Sequence, residues 1–190
     1  MKNVLLIMLC TIITFVTVLI VGSSMSANNE IAEDNEVKDW GPASEGCQLS
    51  IEAEKYKFNY CQPIALKVTI RNSGTKQISF ADTSPYYDFT VTVINDKGES
   101  VPLTAYGKHI TSNRGNSRNV MIQLDPGQKR EYFLLVNRMH DMSFKGIYSI
   151  TVKRSVFKRD GEGLAEVVSN TIEVEVKGDP PNPFEDSKSE

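Results

Sequence analysis

The sequence predicts an all-β fold: an antiparallel immunoglobulin-like β-sandwich of eight or nine strands, preceded by an N-terminal signal or anchor segment. Three observations point there. Apolar and polar residues alternate at period two in run after run, the pattern of a strand with one face on a core and the other on water. Turn-forming clusters separate the runs: NSGT at 72–75, NDKG at 95–98, DPGQ at 125–128 and RDGEG at 159–163. No stretch shows convincing helical periodicity. Many short strands with regular turns indicate a sandwich.

The chain opens with Lys2 and an uncharged apolar run from Val4 to Val21, followed by the small residues GSSMSANN. This reads as a secretory signal over 1–26, cleaved after Ser26. The run is also long enough to serve as an uncleaved membrane anchor. In both cases Lys2 stays inside and the rest of the chain is extracytoplasmic: secreted, periplasmic or on the outer face of the membrane. Residues 27–46 are acidic and aperiodic, as in a flexible spacer. The sandwich domain spans 47–177, and the acidic, Pro-rich tail 178–190 is expected to be disordered.

Within the domain the elements follow in order. Leu49, Ile51 and Ala53 alternate with polar Ser50 and Glu52. Ile64, Leu66, Val68 and Ile70 form the next apolar stripe. A weaker strand is expected at 76–81. Tyr87, Phe89, Val91 and Val93 make a fourth run, and 100–106 another weak one. Val120, Ile122 and Leu124 lead through the DPGQ turn to Tyr132, Leu134 and Val136. Tyr148, Ile150 and Val152, then Ile172, Val174 and Val176, complete the set.

The 190 residues suit one domain with appendages. The formal charge of −3 becomes −4 once Lys2 is removed with the N-terminal segment. A mildly acidic chain of mixed charge has no electrostatic footprint for nucleic acid. Membrane contact is expected only through the N-terminal segment, if it is uncleaved.

Residues 140–152, HDMSFKGIYSITV, crowd His140, Asp141 and Ser143 together. Catalytic triads are assembled from distant segments, because each member approaches its neighbour from a different direction. The sequence has no G-x-S-x-G, no H-E-x-x-H and no paired-Cys motif. No catalytic residue and no cofactor is therefore assigned, and the chain reads as a non-enzyme. A copper site is the sharper alternative: Met139, His140 and Met142 are soft ligands suited to Cu(I). The plainer reading makes the two methionines apolar plugs. Gly146 then permits a bend, and Tyr148 forms a tyrosine corner whose hydroxyl bonds back to upstream backbone.

Outside the cytoplasm, Cys47 and Cys61 are expected to form a disulfide. The closed loop would contribute about 3 kcal/mol in the chain-entropy model. If 48–54 forms a hairpin with 62–71, however, Cys47 lies roughly 23 Å from the turn near Cys61. Bonded Cα atoms need about 5.5 Å. Either the chain doubles back, or Cys47 folds over the strand, or both thiols are free.

Two segments are candidate binding surfaces. Residues 106–119, YGKHITSNRGNSRN, read as a long polar loop with Lys108, His109, Arg114 and Arg118. The adjacent tyrosines of SPYYDF, 84–89, would point to opposite faces of a strand, one core and one exposed. Tyr86 is the candidate contact, able to stack on a sugar or peptide.

Several phrases together resemble secreted bacterial sandwich domains. They are LSIEAEKYKFNYCQPIALKVTIRNSGTKQISF, PYYDFTVTVINDKGESV, IQLDPGQKREYFLLVN and HDMSFKGIYSITVKR. Similar families are the BsuPI-type proteinase-inhibitor domain and the sandwich region preceding the catalytic domain of deuterolysin-like metallopeptidases. The matched motifs are turns, a hairpin and a corner. They imply a scaffold, and inhibitor function only by analogy of fold. Cys61 stands where the pattern has glycine, and together with Cys47 it favours a local disulfide added to the scaffold. The expectation is a non-catalytic extracytoplasmic module that binds a protein or cell-envelope partner. A proteinase inhibitor and a copper-binding envelope protein are the alternatives.

Overall fold

The period-two runs form nine strands in a computed structural model, among its described residues, 39–113 and 120–178. The signal or anchor, the spacer up to 38, Arg114, Arg118 and the tail beyond Gly178 lie outside those residues. The strands are β1 (Cys47–Ala53), β2 (Lys57–Asn59), β3 (Ala65–Asn72), β4 (Ile78–Asp82), β5 (Phe89–Asn95), β6 (Val120–Leu124), β7 (Lys129–Leu135), β8 (Gly146–Phe157) and β9 (Leu164–Lys177). Three short helices are interposed: α1 (Pro85–Asp88), α2 (Ala105–Ser112) and α3 (Val136–Met139).

One sheet has the order β1-β3-β7 and a second β2-β9-β8-β5, while β4 and β6 pair separately. All pairings are antiparallel except that of β2 with β9. The inward positions of β1 and β3 (Leu49, Ile51, Leu66, Val68, Ile70) and of β5, β8 and β9 (Val93, Ile150, Val152, Val174) belong to one buried cluster. Burying each such side chain stabilises the fold by about 1.5–3 kcal/mol. The all-β sandwich read from the periodicity is the fold observed.

The connection between β1 and β3 differs from a simple hairpin. The two strands pair with Cys47 opposite Asn72 and Ala53 opposite Leu66. Between them the chain leaves the first sheet to place Phe58 opposite Val176 in the second. Cys61 follows this excursion, whereas Cys47 sits at the far end of β1, about 20 Å of strand from Ala53. Both thiols are free, Cys47 fully buried and Cys61 exposed. The expected disulfide is therefore corrected. Burial also pushes the Cys47 thiol up to about 12, which keeps it protonated and inert.

Other expectations change too. The weak strand at 100–106 is replaced by isolated bridges, Ile94 with Ser100 and Leu103 with His140, leading into a helix. The first part of the loop expected at 106–119 is α2, capped by the Thr104 hydroxyl accepting from the Gly107 amide. Only Gly107 and Ile110 of α2 are buried, too few to register as helical periodicity. Tyr86 and Tyr87 lie on no strand. Pro85 opens the single turn of α1 and leaves both half-buried.

Residues 39–46, expected as spacer, belong to the domain. Gly41 N donates to Leu49 O at 2.8 Å, and the Ser50 hydroxyl donates to Asp39 O at 2.7 Å. Trp40 stacks on Arg71, whose guanidinium lies 3.8 Å from the ring centre. A Cβ on Gly41 would stand 1.9 Å from Val168 O, so only glycine passes here.

Two side-chain centres tie the sheets together. The register of β8 with β9 slips between Thr151 and Lys153, where β9 bulges at Ser169 and Asn170. The Ser169 hydroxyl takes up the Val152 amide at 2.9 Å. Asn170 bridges to β1 instead: Oδ1 accepts from Ile51 N at 2.7 Å and Nδ2 donates to Ile51 O at 3.1 Å. The second centre is Arg154 of β8, whose side chain is 1% exposed. It lies among Phe80, Phe89 and Tyr132, donates to Ala81 O, and faces Asp82 at 3.7 Å and Asp88 at 3.9 Å. Arg130 pairs with Asp82 at 2.8 Å, and the Asp88 carboxylate accepts from Thr83 N at 2.8 Å. Burial pushes the Asp88 carboxyl up, against the opposing pull of the Thr83 amide and Arg154.

Candidate functional site

The NDKG turn after β5 is built by Asn95. Its Oδ1 accepts from the amides of Lys97 at 3.0 Å and Glu99 at 2.9 Å, and Gly98 takes a φ of 78°. The chain then runs back along β5, with Val101 N donating to Val93 O at 2.9 Å. Opposite stands the segment after α3, where Asp141 N donates to Pro102 O at 2.9 Å. The Asp141 carboxylate in turn accepts from Ser143 N at 3.3 Å. Gly146, at a φ of 157°, leads into β8. The Tyr148 hydroxyl donates to Phe144 O, four residues upstream, at 2.7 Å, the geometry of a tyrosine corner.

These two corners enclose an open groove of about 460 Å³. It is lined by the buried Tyr148 and Val101, by exposed Pro102, and by the exposed carboxylates of Asp96, Glu99 and Asp141. Two large apolar side chains flank it in water: Phe144, 64% exposed, and Ile147, 48% exposed. Burial, followed by the Asp141 and Asp96 charges, pushes the Tyr148 phenol up, so it remains a hydrogen-bond donor. Tyr148→Phe is expected to cost about 1–3 kcal/mol through the unpaired Phe144 carbonyl. Urea unfolding with an unchanged m-value would register this as a shift of midpoint alone.

His140 lies behind one wall of the groove. It is 6% exposed, with Nδ1 3.2 Å from Val101 O and Nε2 3.1 Å from Val91 O. Both ring nitrogens face backbone carbonyls, and Met139 and Met142 are buried. In this structure the copper candidates Met139, His140 and Met142 are packed side chains, with the His140 ring held between two backbone carbonyls. Among the described residues no group of three His, Cys, Asp or Glu could hold a metal ion.

The expected contact residues lie elsewhere. The Tyr86 hydroxyl accepts from Leu135 N at 3.2 Å, its ring meets Tyr106 edge-on, and Arg138 stacks on both rings. Tyr86 is therefore structural packing more than an exposed platform. Lys108 and His109 are exposed on α2. Arg114 and Arg118 fall outside the described residues. Gly107 holds α2 close to α3, since a Cβ there would stand 2.2 Å from Met139 O. The groove's residues were missed because its two halves lie about 45 positions apart. Only the exposed Ile147, out of step with the alternation of β8, hinted at them.

No protein-family model and no curated protein sequence matches the chain. Solved structures with some likeness include the CARDB domain of a Pyrococcus furiosus protein in complex with di-metal ions. It is 14% identical with a TM-score of 0.37, over 74% of this chain and 93% of that one. Spo0M, a sporulation control protein of Bacillus subtilis, is 9% identical with a TM-score of 0.38, over 70% of this chain and 50% of that one. A β-glucosidase of Listeria innocua is 14% identical with a TM-score of 0.36, over 70% of this chain but 16% of the enzyme. Likeness at this level carries no argument about site or activity.

Proposed function

We propose that the chain is a non-catalytic extracytoplasmic module that binds a protein or cell-envelope partner in the groove between the β5 turn and the tyrosine corner. The observation that supports it most is the pair Phe144 and Ile147, left in water at the edge of a concave, carboxylate-lined surface. Large apolar side chains left exposed beside polar groups are a common mark of a protein contact. The apolar run at 4–21 supports the extracytoplasmic setting. The resemblance to BsuPI-type inhibitor domains is compatible with the same scaffold.

The test is binding of the protein to isolated cell envelopes. Phe144→Asp with Ile147→Asp is expected to weaken binding by about tenfold or more, roughly 1.4 kcal/mol, with unfolding unchanged. Lys108→Glu with His109→Ala should leave it intact. Undiminished binding by the groove variant, or loss in the α2 variant, would overturn the groove. Protease inhibition that survives the groove substitutions would move the reading to an inhibitor.

A further inference from the structure

A neutral imidazole has one N–H and one lone pair, so it donates a single hydrogen bond. Only the imidazolium donates two. His140 meets a carbonyl acceptor at each nitrogen, Val101 O and Val91 O, in a site almost closed to water. In the neutral form one carbonyl therefore faces a nitrogen lone pair at hydrogen-bond distance. Val101 belongs to the groove wall, and the flanking Asp141 is bonded to Pro102 of the same wall.

We propose that His140 is a proton-operated clasp on that wall, holding the 99–102 segment against β5 through both ring nitrogens when protonated and through one when neutral. That the clasp regulates binding rests on the groove reading above. The charged groups on the surrounding elements are Asp96, Lys97 and Glu99 after β5, Lys108 and His109 on α2, Arg138 on α3, and Asp141. Among the described residues none of them bonds to the ring. Burial lowers the His140 value below that of ordinary imidazole, and the two carbonyls oppose this. The clasp is thus half-made at neutral pH and completed in acid. The global sign is opposite: with the folded value lowered, the unfolded chain takes up the proton first. Overall stability from this group is present above the ordinary value of about 6.5 and falls as pH drops below it.

NMR of the full chain, isotope-labelled at histidine and valine, tests this directly, because the sequence has two histidines and exposed His109 gives a separate signal. His140 is expected to titrate below about 6.5, passing from one tautomer to a doubly donating ring. The Val101 carbonyl carbon should shift with the same midpoint, and His140→Gln should abolish that shift. A Val101 carbonyl carbon that stays still as His140 titrates overturns the clasp, as does a ring that stays neutral until the chain unfolds. If the glutamine variant does not fold, the wild-type titration decides alone. No partner is involved, so a negative result leaves the groove reading to its own binding test.

Discussion

Replacing Arg154 by alanine is expected to lower stability by about 3–5 kcal/mol, the range seen when one partner of a buried ionic group is removed. Arg154 is the buried cation of a cluster that also holds Asp82 and Asp88, and its guanidinium fills the space among three aromatic rings. Its loss leaves a cavity and deprives Asp88 of its nearby positive charge. Asp82 keeps Arg130, whereas Asp88 keeps the Thr83 amide and a contact with the like-charged Asp82, so Asp88 bears most of the electrostatic damage. Burial already raises the Asp88 carboxyl value, and without Arg154 it should rise further. A protonated Asp88 needs no counter-charge. The destabilisation should therefore be larger at neutral pH than in mild acid. Urea unfolding of both proteins at two pH values checks the size and the trend. An equal loss at both would assign the cost to packing alone.

Asn170→Ala is expected to cost about 1–3 kcal/mol for each backbone group of Ile51 that it leaves unpaired. The side-chain amide of Asn170 replaces a strand at the edge of β1, satisfying both Ile51 N and Ile51 O across a sequence separation of 119 residues. Hydrogen exchange at the Ile51 amide is the specific readout: it should lose protection before its β1 neighbours do. Asn170→Asp retains an acceptor for Ile51 N but sets a carboxylate oxygen against Ile51 O. It should recover less than half of the loss. Full stability in the alanine variant would mean that the β1 edge finds another partner.

The strands were legible where one face meets the core and the other meets water. β1, β3, β5, β7 and β8 show this in residues such as Leu49, Ile51 and Ala53. β9 was legible from Ile172 onward, but its first half was hidden because the bulge at Ser169 and Asn170 breaks the period. β2 is three residues long with one buried side chain, Phe58, too short for any period. α1 and α2 were missed for the same reason: a single turn, and a helix with two buried positions, bury too little to set a pattern. The tyrosine corner was readable because its donor and acceptor are four residues apart.

By itself, then, the amino-acid sequence determined the all-β class, most of the strands, the turns and the corner. Each depends on relations between residues a few positions apart, which composition and spacing record. Only the tertiary structure decided that Cys61 is carried to the second sheet, away from Cys47. It alone showed that Asn170 closes β1, that Arg154 and Asp88 share one buried site, and that His140 sits between two carbonyls behind a groove. Those outcomes depend on which strands become neighbours. That is settled by the burial of all the apolar faces at once, and no local pattern encodes it.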